Sequence, residues 1–500
     1  MEENLKNKAF WGIIWSYVNT FGMQLLSFIP AMVLTRLMSQ ADYGLVAMAG
    51  VFTGVAYMLA DGGFGNALVQ KKDADDLDYC SVFYFNIGIC SFIYLLFFFL
   101  APFCADFFHQ PQLTVIVRVS TLGLIILAFG QVQGIIFKKN LEYKKPTYRS
   151  LIAQIISIVV GIGLALLGYG VWSLVFQGLV YTTASTILNW IISDWKPSFR
   201  FSSQRLRGLF NYGSKLLLTS FIDYGFRNAY NIMIGRFYTP AKLADYNRGG
   251  QTVGLFSQTF FGVFSKVTFP LFVQMQDDDE RLRYNIRRFL IVSSMVIFYV
   301  MVLSFVLAKP IYHTLYSSKW DSALPFFQVL CIVNLFYPMV AILESVLLAK
   351  GESGKFLMLS IFRKVFVVLA LLITYRLGVL YMAIGQIFLN LIDVALLTFF
   401  TGTMIKYRLS DLVKDLLPYL LVSMIMGVFM YYANLLFTWV ISFCNLNEFM
   451  TSFSLLVVNG ILAVFVFIFT YKLLRMKGYQ ELISFLRESI GDFKILKYIS

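Results

Sequence analysis

Asp223 and Arg227 stand four residues apart inside 211–251, a stretch apolar enough to begin in one membrane span and end in the next. That spacing puts both side chains on one helical face. A charge at bilayer depth costs at least ~2.5–3.5 kcal/mol, so it needs a partner or a water-filled space. The two residues therefore either form an internal ion pair or face water and an ionic ligand. The other charges inside apolar runs are Asp61, Glu344, Asp393 and Lys266. Arg118 and Arg363 lie nearer the ends of such runs, and Arg36, Arg236 and Arg376 at outer ends, where a long side chain can reach the interface. Arg227 and Lys266, on neighbouring spans, could present cations to one cavity. A diphosphate is the natural ligand of such a pair, through charge-assisted hydrogen bonds. Asp61, Asp223, Glu344 and Asp393 are candidates for ion pairing or for carrying a coupling proton or sodium ion. No cofactor is implied. His109 and His313 have no metal-ligand cluster beside them, and no Ser-His-Asp or Cys-His constellation occurs, so nothing reads as an enzyme. The glycine-rich ADGGFGNALVQ at 60–70 lacks a P-loop lysine and predicts a helix break or a close helix approach.

The elements that must position these residues are membrane helices. The chain is 59% hydrophobic and 14% charged, against roughly 25% charged in soluble domains. Fourteen apolar runs are long enough to span: 10–34, 43–67, 79–101, 113–137, 149–167, 171–192, 212–235, 248–272, 287–308, 324–348, 356–376, 379–401, 414–440 and 451–473. The net charge of +14 comes mostly from clusters in every second connection, among them Lys71-Lys72, Lys138-Lys139 with Lys144-Lys145, Arg205 with Arg207, and Arg281 to Arg288. This is the positive-inside pattern, not a nucleic-acid surface, and it places both termini in the cytoplasm. The first span has no cleavage site and reads as an uncleaved signal anchor. Cys80, Cys90, Cys104, Cys331 and Cys444 show no paired spacing and read as free thiols packed as small hydrophobes. Leu482, Ile483, Leu486, Ile490 and Phe493 recur at helical spacing in 475–500, which predicts an amphipathic helix on the inner membrane surface.

A repeat emerges once the spans are placed. Trp11-Gly12, Arg36 and Asp42-Tyr43-Gly44 around the first span match Tyr212-Gly213, Arg236 and Asp245-Tyr246 around the seventh. Leu68-Val69-Gln70 after the second matches Phe272-Val273-Gln274 after the eighth. The expected organisation is an N-terminal lobe at 1–200, a C-terminal lobe at 201–405, two added helices at 406–474 and a cytoplasmic tail at 475–500. Six spans per repeat make the lobes parallel, the arrangement of transporters with a midplane site. Aligned on Gly12 and Gly213, the first span has Gly22 and Leu26 where the seventh has Asp223 and Arg227. The scaffold is thus built once without those charges, which favours a functional role for Arg227.

LTRLMSQADYGLVAMA (34–49), ADGGFGNALVQ (60–70), GIIFKKNLEYKK (134–145), GYGVWSLVFQ (168–177), RNAYNIMIGRFYTPAKLADYNRG (227–249), FPLFVQMQDDDERLR (269–283), SSKWDSALPFFQVL (317–330) and LLAKGESGKF (347–356) follow one another along the chain. In this series the chain resembles Wzx-type polysaccharide transporters of the multidrug/oligosaccharidyl-lipid/polysaccharide exporter superfamily. It departs from the usual pattern at Ser317-Ser318 and at Asp245-Tyr246. The resemblance implies a flippase that moves undecaprenyl-diphosphate-linked oligosaccharide across the bacterial cytoplasmic membrane by alternating access. It further implies a cationic cavity lined by helices carrying Arg36, Asp61, Asp223, Arg227, Arg236, Arg248 and Lys266, with Tyr224 and Tyr230 against sugar. Membrane lipid, a polysaccharide polymerase and glycosyltransferases are the implied partners. A multidrug antiporter, a peptidoglycan-precursor flippase and a membrane-embedded polymerase or ligase remain as alternatives.

Overall fold

The computed structural model describes residues 2–61, 64–71, 73–206, 220–444 and 446–490, and at 2–10, 13, 61, 64, 66, 258–267 and 486–490 it describes backbone only. Every regular element among them is helical. In chain order these are α1 (Glu2–Leu37), α2 (Gln40–Asp61), α3 (Phe64–Gln70), α4 (Asp76–Phe108), α5 (Leu113–Lys139), α6 (Lys144–Leu166) and α7 (Val171–Ile192). A helical stretch at 220–227, α8, leads into α9 (Ala229–Phe237) and α10 (Pro240–Gln274). Then come α11 (Asp279–Val306), α12 (Ala308–Leu315), a 3-10 turn (Ser318–Ala323), α13 (Leu324–Asn334), α14 (Tyr337–Ala349), α15 (Ser353–Thr374) and α16 (Val379–Ile405). The last three are α17 (Leu409–Ser442), α18 (Glu448–Leu473) and α19 (Lys477–Ile490). Helices dominate because hydrocarbon leaves backbone N–H and C=O groups no partners except their own.

Twelve helical segments among the described residues are long and apolar enough to cross a membrane, so this is a multi-pass membrane protein. The seventh and eighth of the fourteen expected spans are not among the twelve. The seventh begins in residues outside those described, and the eighth falls within the 35-residue α10. The tenth is broken into α13 and α14 by Pro338, which cannot donate to the Asn334 carbonyl.

The chain divides into two compact units, Met1–Ala244 and Asp245–Ser500. In the first, α1 packs on α6, α6 on α7, and α5 on both α4 and α7, while α9 lies against α2 and α4. One close approach requires glycine. A Cβ on Gly44 would sit 1.9 Å from the Pro240 carbonyl oxygen, where α10 begins. In the second unit α11 is the axis, touching α13, α14, α16, α17 and α19. Leu290, Met295 and Phe298 on α11 pack into a continuous core with Leu343, Leu397, Tyr419 and Met426.

Several residues of the basic connections meet carboxylates at helix ends. Lys71 Nζ lies 2.6 Å from the fully buried Asp78, and Arg205 lies 3.1 Å from Asp75. Asp75 caps α4 by accepting from the Asp78 backbone N–H at 2.9 Å. That bond, more than Arg205 or Lys71, holds its carboxyl below the usual aspartate range. Arg287 reaches Asp415 at 2.5 Å.

Two expectations need correcting. The tail helix α19 rests against protein, not only against the membrane surface. Tyr479 and Ile483 are buried in the core of the second unit, Gly478 N–H donates to Tyr419 Oη at 2.8 Å, and Arg288 pairs with Glu481 and lies 3.9 Å from the Phe485 ring. Leu486 and Ile490 have no described side chains, and Phe493 lies outside the described residues. Of the five free cysteines four are buried, but Cys444 is exposed.

Candidate functional site

The segment from α8 to α9 is interrupted at Asn228, directly after Arg227. Asn228 has φ −95° and ψ 4°, outside the helical range, and its Nδ2 donates back to the Tyr224 carbonyl at 3.0 Å. Asn231 Nδ2 in turn donates to Asn228 Oδ1 at 3.2 Å. Asparagine competes with helical hydrogen bonding in this way, which accounts for a break without proline or glycine. Asp223, Arg227 and Asn231 recur every four residues and form one polar face. Tyr224 Oη donates to the Gly50 carbonyl of α2 at 2.9 Å, and Gly54 leaves the room for it, since a Cβ there would lie 1.8 Å from that oxygen. Its hydroxyl is thus committed to holding α8 on α2, where the resemblance had placed it against sugar.

Arg227 is exposed and makes no ion pair or hydrogen bond among the described residues. Of the two alternatives, the internal pair with Asp223 is therefore not formed, and Asp223 is half-buried with other interactions. From Arg227 to the end of α9 at Phe237 is about 15 Å at 1.5 Å per residue. That is roughly half of a ~30 Å hydrocarbon core.

The remaining predicted residues divide into local groups. Arg236 donates to the Asp106 carbonyl at 3.3 Å and to that of Phe107, at the C-terminal end of α4. A cation is favoured there because the carbonyls of a final turn carry partial negative charge. Arg36, in the last turn of α1, is half-buried and engaged. Arg248 is 7% exposed and lies 4.9 Å from the Tyr316 ring and 4.8 Å from the Trp320 ring, a double cation–π contact. Around it Ser322 Oγ donates to Asp245 at 3.0 Å, and Gln386 donates to Tyr246 Oη at 3.0 Å. The DYNRGG and SSKW motifs are thus two halves of one packed knot at the end of the second unit. The side chains of Asp61 and Lys266 lie outside those described.

Glu344 and Asp393 are brought together by Arg363, on α15 between them. Arg363 Nη1 donates to Glu344 at 2.5 Å, while Nε and Nη2 reach one Asp393 oxygen at 2.9 and 2.8 Å. Two carboxylates on one guanidinium leave a formal charge of −1. Sequence reasoning missed Arg363 as a site residue because its partners are 19 and 30 residues away. It also missed Arg149, at the start of the expected span 149–167, whose Nη1 donates to Asn189 Oδ1 at 3.1 Å. Among the described residues no group of three metal-ligating side chains could hold a metal ion.

Residues 33–325 match the family described as polysaccharide biosynthesis protein. The chain belongs to that family. Lipopolysaccharide biosynthesis protein WzxC of Escherichia coli (strain K12) is 21% identical over 400 residues, covering 79% of this chain and 80% of that one. Succinoglycan biosynthesis transport protein ExoT of Rhizobium meliloti (strain 1021) is 24% identical over 318 residues, 64% of each chain. The lipid II flippase MurJ in an inward closed conformation has the same fold, with TM-score 0.68 at 15% identity over 93% of this chain and all of that one. The family match runs from the end of α1 to α13 and takes in Arg36, Asp61, Asp223, Arg227, Arg236, Arg248 and Lys266. Glu344, Arg363 and Asp393 lie beyond it.

Proposed function

We propose that this protein is a flippase that moves undecaprenyl-diphosphate-linked oligosaccharide units across the bacterial cytoplasmic membrane, by alternating access, for surface polysaccharide biosynthesis. The observation that carries the reading is Arg227: exposed, unpaired among the described residues and about 15 Å from the end of its helix. A cation left so at that depth faces water and binds an anion that arrives with the substrate. Relatives named for lipopolysaccharide biosynthesis and succinoglycan transport support the polysaccharide class over a peptidoglycan precursor or a drug.

In this mechanism Arg227 and Lys266 hold the diphosphate by charge-assisted hydrogen bonds, and the sugar crosses through water while the prenyl chain stays in lipid. Asp223 tunes the cation, and the Glu344–Arg363–Asp393 group, with its excess negative charge, is the candidate for carrying a coupling proton or sodium ion. The substrate leaves chemically unchanged, for a polymerase on the outer side. Both termini are cytoplasmic, by the distribution of Lys and Arg. Losing one charge-assisted contact, ~1.5–3 kcal/mol, should lower transport about tenfold or more. Arg227→Ala and Lys266→Ala, expressed at normal levels, should each deplete surface polysaccharide. Unchanged polysaccharide in both would overturn the cationic pathway.

A further inference from the structure

Arg149, on α6, has no carboxylate partner among the described residues. Arg363 has Glu344 and Asp393, and Arg287 has Asp415. Arg149 has only the neutral amide of Asn189, at 3.1 Å, and its Nε is buried without a hydrogen-bond partner. Glu142, just before α6, and Asp194, just after α7, lie 3.5 and 3.9 Å from Lys145. Asn189 is itself locked in place, 4% exposed, with Nδ2 donating to the Gly130 carbonyl of α5 at 2.8 Å. The guanidinium is thus held on a rigid three-helix floor of α5, α6 and α7, with donors left over.

Depth gives this cation its meaning. Five residues separate Arg149 from the start of α6 at Lys144, about 7.5 Å, and three separate Asn189 from the end of α7 at Ile192, about 4.5 Å. Both ends lie on the membrane face that carries Lys138, Lys139, Lys144 and Lys145. Both residues therefore lie within two turns of a helix end, within reach of the phosphate of a lipid on that face. A snorkelling arginine at this depth would put its head in water. Here Nε is buried and one Nη is tied inward, an arrangement that is unfavourable unless an anion completes it.

We propose that Arg149 and Asn189 form a subsite for a lipid-borne diphosphate on the face of the first unit where the substrate enters, distinct from Arg227 at mid-depth. The proposal rests on the flippase reading for the identity of that lipid. The guanidinium binds the anion through its remaining Nη protons, as arginine does with phosphate. The Asn189 amide orients it. Substrate then passes from one cation near the entry face to another deeper in.

The test is ligand binding, so that it stands apart from transport. Purified full-length protein in nanodiscs of zwitterionic lipid is titrated with farnesyl diphosphate, inorganic pyrophosphate and phosphatidylglycerol, and thermal stabilisation is recorded. Arg149→Gln should weaken farnesyl diphosphate about tenfold or more, and Arg149→Lys should retain part of the affinity. Asn189→Asp places a carboxylate against the guanidinium and should abolish the ligand-induced shift while the protein stays folded. It carries the test if Arg149→Gln does not fold. Farnesyl diphosphate should bind more tightly than inorganic pyrophosphate, because the prenyl chain remains in lipid. Undiminished binding by Asn189→Asp overturns the proposal, as does stabilisation by phosphatidylglycerol with none by farnesyl diphosphate. Failure here with Arg227→Ala still blocking transport would remove the subsite and leave the flippase reading intact. Binding that follows this pattern in a protein that moves no lipid would do the reverse.

Discussion

Removing Arg363 should do more damage than removing either of its partners. Its guanidinium bridges Glu344 at 2.5 Å and Asp393 at 2.8 Å, with side chains 26% and 10% exposed. Breaking a fully buried pair by deleting one partner costs ~3–5 kcal/mol, because the other charge is left without compensation. Arg363 is 35% exposed, so screening lowers that figure to about 2–3 kcal/mol for Arg363→Met. Glu344→Gln acts differently. It leaves Arg363 and Asp393 as a balanced pair, takes the formal charge of the group from −1 to zero, and should cost under about 1 kcal/mol. The triple change Arg363→Met, Glu344→Gln, Asp393→Asn should recover most of the loss, since no charge remains buried. Cys80, Cys90, Cys104 and Cys331 are free and buried, so a thiol-reactive fluorophore reports unfolding as they become accessible on heating. Arg363→Met should unfold several degrees below wild type, with Glu344→Gln near wild type. If Arg363→Met matches wild type, or the triple variant is worse than the single, the three residues do not act as one electrostatic unit.

Other outcomes follow from particular contacts. Gly44→Ala should fail to accumulate in the membrane because its Cβ meets the Pro240 carbonyl, whereas Gly50→Ala, with nothing within 4 Å, should accumulate normally; quantitative blotting of membranes compares them. Arg248→Ala loses contact with both Tyr316 and Trp320, and a desolvated cation–π contact is worth ~2 kcal/mol. Its thermal transition should fall further than that of Arg376→Ala, since Arg376 is exposed and has a single ring contact, with its neighbour Tyr375. Asp75 has its carboxyl held low in the folded protein, so its stabilising contribution is present above the ordinary value of about 3.9 and disappears as pH falls through the lower folded value. The stability gap between wild type and Asp75→Asn should accordingly be present at neutral pH and close on acidification.

The spans were legible because a run of apolar residues long enough to cross hydrocarbon has little alternative to a helix. The break at Asn228 was not, since asparagine leaves a helix only when its amide finds a nearby carbonyl, here that of Tyr224. Glu344 and Asp393 could be read as notable carboxylates, yet their pairing with Arg363 depends on how α14, α15 and α16 pack. Arg248 and Trp320 stood out as motif residues, but their stacking joins segments far apart in the chain. The tail pattern predicted an apolar face correctly, and a membrane surface and the base of α11 are equally good cover for such a face. Arg149 was hidden by its position near a helix start, where an arginine ordinarily serves topology. What marks it is a buried Nε without a partner beside the neutral Asn189 amide, which only the packed structure reveals.

The most direct test of the central claim is a leaflet assay in proteoliposomes with a fluorescent prenyl-diphosphate oligosaccharide. Wild-type protein should move the lipid to the opposite leaflet chemically unchanged, and Arg227→Ala should slow that movement about tenfold or more while remaining folded. Equal rates for wild type and Arg227→Ala, or recovery of a chemically altered lipid, would contradict the account.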